Sequence, residues 1–353
     1  MAYTTIDKST DYFTTHLYSG NDSTNNQTSL GMTPDLVWVK CRNHATPSHY
    51  IVDKIRGDEI YISSNNNSGN NTDSNTFELV SGGFNLAGGN GWTNVSGRNY
   101  ASWNWKAGTT GSGSTTGSGT SKTYNYSVNT TAGFSIVKYT GNGSAGHTIP
   151  HHLGVAPKCI LFKQLTGSNV DWRVYHHKLN SGVGNTHRLC LNDNSTQNND
   201  DSAFNDTSPT STVFTVGGST STNPDGYDVI AYCFAEIPGY SCFPYWIGNG
   251  SSSAPAFIYT GFKPKFVIVK CINDSDDWFM HDDKRDGYND DNEYLFASIT
   301  NVEGTNTNRI RLLSNGFSVP TTDKSHNQNG NEYIALAFGQ TLVGTNNVPC
   351  TAR

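Results

Sequence analysis

The chain has 353 residues, a formal net charge of −6 and charged side chains at only 15% of positions, so it offers no basic stripe to displace counterions from phosphate and a nucleic-acid-binding role is excluded. Glycine occurs 36 times and methionine three times, with a hydrophobic share of 34%, a composition of short strands joined by turns rather than of long amphipathic helices. No apolar run approaches the roughly 18 residues of a membrane span, and the opening MAYTTIDKST has neither the basic start nor the apolar core of a secretory leader, so synthesis in the cytoplasm is expected.

In chain order, the first elements are Tyr18-Ser-Gly20-Asn21, then Gly31-Met-Thr-Pro34 with the apolar run 36–39 and Lys40, then GRNYASWNW from Gly97. All three return as Tyr139-Thr-Gly141-Asn142, Gly154-Val-Ala-Pro157 with 159–162 and Lys163, and GYDVIAYCF from Gly226. They return again as Trp246-Ile-Gly248-Asn249, Gly261-Phe-Lys-Pro264 with 266–269 and Lys270, and GNEYIALAF from Gly330. The Gly-x-x-Pro glycines stand 123 and 107 residues apart, and each lies 66, 72 or 69 residues before its closing element. One domain-sized fold used three times accounts for this spacing.

The periodicity is that of strands. Ala101, Trp103 and Trp105 alternate with Ser102 and Asn104; Ile230, Tyr232 and Phe234 with Ala231 and Cys233; Ile334, Leu336 and Phe338 with Ala335 and Ala337. A bulky face and a small face at a period of two predict a strand packing its large side against a core. The runs after Gly-x-x-Pro are apolar on both faces, which suits central strands covered on both sides. The expected architecture is all-β, with three tandem antiparallel β-sandwich modules at 1–108, 133–238 and 239–345. Residues 109–132, around GTTGSGSTTGSGTSK, read as a Gly/Ser/Thr-rich linker, and 346–353 as a C-terminal extension. The short apolar junction IPGYSCFPYW predicts that modules two and three pack rigidly, leaving module one more loosely tethered.

The candidate chemistry is sparse. Seven cysteines without a C-x-x-C spacing read as structural thiols in a reducing compartment. Gly141-Asn-Gly143-Ser-Ala-Gly146 matches a dinucleotide fingerprint, but no helix start follows it. The acidic stretch 282–293 has part of an EF-hand spacing, making Asp282, Asp286 and Glu293 calcium candidates, although Lys284 stands where an oxygen ligand is required. The competing reading is a local ion pair, because Asp53-x-x-Arg56 aligns with Asp282-x-x-Arg285 while module two carries His176 and Leu179 there. His147, His151, His152, His176 and His177 read as solvated loop side chains rather than zinc ligands. Asp274, Asp276 and Asp277 are possible acids for a glycosidase. Asp171-Trp172 and Asp277-Trp278 recur as a pair, first as core-edge packing and second as a sugar platform. The candidate ligand-binding residues are therefore Trp278, Asp282, Arg285, His176 and His177; no catalytic residue and no cofactor is assigned.

Several segments together, SWNWKAG (102–108), TTAGFSIVKYTGNGS (130–144), HHLGVAPK (151–158), YCFAEIPGYSCF (232–243), YTGFKPKFVIVK (259–270) and LLSNGFSV (312–319), carry a resemblance. The chain resembles a family of uncharacterised modules in tail-fibre-like and other structural proteins of marine bacteriophages, particularly those of cyanobacteria. That resemblance implies a virion-associated β-sandwich protein of lectin-like jelly-roll type and transfers no active site. The expected function is that of a non-enzymatic virion component, a tail fibre or receptor-binding appendage that touches host surface glycan or protein through Asn-, Ser- and Tyr-bearing loops. The expected partners are other virion proteins and further copies of itself. The alternatives are a head-decoration subunit and a polysaccharide depolymerase using module-three carboxylates.

Overall fold

The computed structural model describes residues 4–74, 76–285, 293–305 and 308–343. Its first third contains β1 (Phe13–Ser19), β2 (Asn25–Gln27), β3 (Leu36–Cys41), β4 (Tyr50–Asp53), β5 (Ile60–Ile62), β6 (Asn71–Thr72), β7 (Phe77–Val80), β8 (Gly83–Leu86) and β9 (Asn99–Trp105). They pair as a large sheet β1-β9-β3-β4-β5-β6 and a small sheet β2-β8-β7. The second third contains β10 (Thr109–Ser114), β11 (Thr116–Gly117), β12 (Thr123–Asn129), β13 (Phe134–Thr140), β14 (His147–Pro150), β15 (Cys159–Gln164), β16 (Arg173–His176), β17 (His187–Arg188), β18 (Asn198–Asn199), β19 (Val213–Val216) and β20 (Asp228–Phe234). Here the large sheet is β10-β12-β13-β20-β15-β16, the small sheet β11-β14-β19, and β17 pairs with β18. The last third contains β21 (Ser241–Cys242), β22 (Tyr245–Ile247), β23 (Ala256–Tyr259), β24 (Lys263–Cys271), β25 (Phe279–Asp282), β26 (Leu295–Phe296), β27 (Arg311–Leu313), β28 (Gly316–Val319) and β29 (Glu332–Gln340). Its large sheet is β21-β29-β24-β25-β26 with β22 also on β29, and its small sheet is β23-β28-β27. The fold is all-β and its strand pairs are antiparallel.

Local chemistry explains the repeated turns. Gly31, Gly154 and Gly261 have φ of 78°, 75° and 83°, a left-handed backbone that other residues adopt only with strain. Gly20, Gly141 and Gly248 serve a different need: a Cβ there would lie 2.2 Å from the carbonyl oxygen of Val95, Pro224 or Gln328. That close approach is fixed by an asparagine. Asn94, Asn223 and Asn327 are buried, and their Oδ1 atoms accept the backbone N–H of Asn21, Asn142 and Asn249 at 3.1, 2.9 and 3.0 Å.

Each large sheet buries both faces. In the first third the small faces of β3 and β9 meet the small sheet, where Val37, Val39 and Tyr100 pack with Phe77, Phe84 and Leu86. The second and third thirds repeat this with Val137, Ile160 and Phe162 against Phe214 and Val216, and with Val267 and Val269 against Phe317 and Val319. The bulky stripes of β9, β20 and β29 turn the other way, into one common core drawn from all three thirds. Trp105, Phe234 and Phe338 form a triangle at its centre, with ring centroids 6.2, 5.5 and 5.8 Å apart. The expectation of a loosely tethered first module is thus overturned: Trp103, Trp105 and Phe13 of the first third are fully buried against Phe266 and Phe338 of the last.

Residues 109–132 are also not a free linker. Thr109–Ser114 pairs residue by residue with β12, extending the second large sheet, and Thr116–Gly117 joins the small sheet. Glycine weakens a strand because it has no side chain to pack. Here Tyr126 lies across Gly111 and Tyr124 across Gly113, filling the space a Cβ would occupy, so the opposite strand supplies the missing surface. Residues 346–353 lie outside the described residues.

Candidate functional site

The sequence-selected residues converge on the seams between thirds, where they are structural. Trp172 Nε1 donates to Ser63 O at 2.9 Å and Trp278 Nε1 to Cys190 O at 2.8 Å, each crossing to the preceding third. His49 takes the same place in the first third. Its Nδ1 accepts from Trp38 Nε1 at 2.7 Å, so Nε2 carries the proton and faces Ile299 O at 3.3 Å. First onto last, second onto first, third onto second: the seams close a ring.

The Asp-x-x-Arg turn forms a second set of seam contacts. Asp53 and Asp282 are buried and bind Arg56 and Arg285 at 2.5 and 2.7 Å. Asp53 Oδ2 also accepts Tyr232 Oη at 2.7 Å, and Asp282 Oδ2 accepts Trp103 Nε1 at 3.1 Å. In the second third the role passes to His176, whose Nε2 lies 3.3 Å from Ala335 O. A third set is built on Lys163 and Lys270, which like Lys40 are fully buried. Lys163 Nζ donates to Asn67 O and Lys270 Nζ to Asn194 O, each in the preceding third, at 3.1 and 3.2 Å. Burial pulls all three ammonium groups down to about 8.

These geometries correct the earlier expectations. Asp282 is committed to Arg285 and Trp103, and Glu293 to Arg42 at 2.9 Å, so both calcium candidates already have cationic or N–H partners; Asp286 lies outside the described residues. Trp278, Arg285 and His176 are at most 1% exposed and offer no face to a ligand. His177 is half-buried with Nε2 3.1 Å from Phe243 O. The histidines are not solvated loop side chains: His147, His151 and His176 are fully buried, and burial pushes His151 and His177 down to about 4. Asp277 accepts Ser298 Oγ at 2.9 Å. Six described cysteines are unpaired thiols.

What differs between the thirds is the outer face of each small sheet. In the second third it is a row of threonines, the exposed Thr116, the half-buried Thr148 and the buried Thr215, with the first two Oγ1 atoms 2.7 Å apart. In the last third Phe257 and Tyr259 stand outward, 49% and 62% exposed, the former beside Ser318 and Arg311. In the first third Asn26, Asn85 and Glu78 lie side by side across β2, β8 and β7, with Thr24, Ala87 and Thr76 as the next row. There Asp58 and Glu59, in the turn between β4 and β5, join the sheet in lining an open cleft of about 530 Å³. Asn85 Nδ2 donates to Glu78 Oε2 at 3.1 Å. Burial, then Glu78 and Glu59, raise the Asp58 carboxyl above its ordinary range, while the Leu79 N–H opposes them. Sequence reading missed this cleft. The available signal was the unbroken polar run NNQ at 25–27, where Gly-x-x-Pro is preceded by AFIY in the last third.

A two-sheet all-β repeat closed into a ring, with its divergent chemistry facing outward, defines the class of molecule. The family model described as Domain of unknown function (DUF7483) matches residues 8–341, and the chain belongs to that family. No curated protein and no solved structure matches it.

Proposed function

We propose that the chain is a non-enzymatic recognition and structural subunit of a bacteriophage particle, a tail-fibre or receptor-binding appendage that contacts host surface glycan or protein. The observation that carries this reading is the division of labour among the repeats. Residues shared by the thirds are consumed in turns and seams, whereas the outer faces of the small sheets, which include the exposed Asn26, Glu78, Thr116, Phe257 and Tyr259, differ from one third to the next. A rigid body whose exposed faces differ from repeat to repeat suits binding. The resemblance to virion modules supplies the setting. Of the module-three carboxylates first considered for a depolymerase, Asp282 is buried in an ion pair, Asp277 is held by Ser298 and Asp274 lies 3.7 Å from Lys324.

Gold-labelled antibody against this chain, applied to purified particles, is expected to mark the tail or its fibres. Label confined to the capsid shell would favour a decoration subunit, and particles lacking the chain would overturn the reading. Incubation with host envelope polysaccharide is expected to release no reducing ends; sustained release would show an enzyme.

A further inference from the structure

We infer that the cleft over the first small sheet is a carbohydrate site for neutral or amine-bearing sugars that discriminates against acidic ones; this rests on the recognition reading above. The cleft's volume of about 530 Å³ falls within the range of small-molecule sites. Its lining mixes the apolar Phe77, Leu86 and Ala87 with polar side chains, among which the Asn26 and Asn85 amides and the Glu78 carboxylate stand in register on neighbouring strands. Adjacent strands are about 4.8 Å apart, a spacing across which the hydroxyls of one pyranose can meet two side chains at once. Amides donate and accept, and carboxylates accept, which is what sugar hydroxyls require. The Thr24 and Thr76 hydroxyls extend the polar lining.

Two further features point to an occupant. Asn85 Oδ1 is closed to solvent and has no hydrogen-bond partner among the described residues, although its flanking residues Asn26 and Glu78 are exposed. A buried acceptor without a donor is unfavourable, and a hydroxyl that turns aside the exposed Asn26 or Glu78 side chain would reach and satisfy it. The charge is also one-sided: Asp58, Glu59 and Glu78 line the cleft, and among the described residues no basic side chain does. A uronate or sulfated sugar would therefore meet like charge, while a neutral hexose or a free hexosamine would not. The other two outer faces, threonine-lined and aromatic, lack this arrangement.

The test uses the full chain, two exposed substitutions, Asn26→Ala and Glu78→Gln, and Phe257→Ala on the last third as a control. Binding is read on an array of neutral, amino and acidic glycans, and by ligand-observed NMR for hits. Wild type and Phe257→Ala are expected to bind neutral or amino sugars. Asn26→Ala and Glu78→Gln should lower affinity about tenfold or more with unchanged circular dichroism. Binding that survives both cleft substitutions but is lost in Phe257→Ala would overturn this site while leaving glycan recognition intact. Binding restricted to acidic glycans, or no glycan binding, would also overturn it; particle labelling independently decides whether the recognition reading stands.

Discussion

Lys40, Lys163 and Lys270 show how much a residue's meaning depends on what surrounds it. Each was visible in the sequence as the last position of a repeated run, but nothing local indicates a buried ammonium. The carbonyls that hold Lys163 include Asn67 O and Val170 O, 96 and 7 positions away. The histidines misled for the same reason, since the partners that bury them come from distant loops or another third. The lysines give a pH test. With Lys163 lowered from 10.5 to about 8 by burial, the unfolded chain binds more protons between those values, so this group's contribution to stability rises with pH across that window. Below pH 8 both states are protonated and the desolvation penalty is fully present. Buried thiols and phenols titrate nearby, so the informative quantity is a difference. The stability of wild type relative to Lys163→Met should increase by on the order of 2–3 kcal/mol between pH 8 and 10.5. Urea unfolding followed by tryptophan fluorescence at both pH values measures it, and a difference that stays flat refutes the assignment.

Strands and their turns were the most legible level. The alternation in β9, β20 and β29, the apolar runs of β3, β15 and β24, and the Gly-x-x-Pro entry all correspond to observed elements. Composition failed at 109–132, because glycine and serine describe flexibility only when no opposite strand supplies Tyr124 and Tyr126 to cover them. The two glycine sets in each repeat look alike in sequence but answer different constraints. Gly226 has φ of 78° and open space where a Cβ would go, whereas a Cβ on Gly141 would meet Pro224 O at 2.2 Å. Gly226→Ala should therefore cost about 1–2 kcal/mol in backbone strain. Gly141→Ala must displace a carbonyl tied into the Asn223 turn, and should cost on the order of 3 kcal/mol. Thermal melts of the two variants rank them; equal losses would show that the Asn223 turn yields and is not rigid.

At the scale of the whole chain, the pattern that disclosed three units concealed their dependence on one another. Period-two alternation tells which side of β9 is bulky, but not whether that side faces its own module or a neighbour's. Here it faces the neighbours: Trp103 and Trp105 are at most 2% exposed, and they close on Phe234, Phe266 and Phe338. The first third taken alone would uncover that stripe together with Phe13 and Trp38, and would strand seam donors such as Trp103 Nε1 without Asp282 Oδ2. Burying several large aromatic side chains is worth roughly 2–3 kcal/mol each, comparable in sum to the net stability of an ordinary domain. The thirds should therefore not fold independently. Residues 1–108 expressed alone are expected to aggregate or remain without fixed tertiary structure, as judged by near-ultraviolet circular dichroism. The full chain should unfold in one transition, with coincident fluorescence and circular-dichroism curves and calorimetric and van't Hoff enthalpies in agreement. Two resolved transitions, or a folded monomeric 1–108 fragment, would mean that the common core joins stable modules and does not create them.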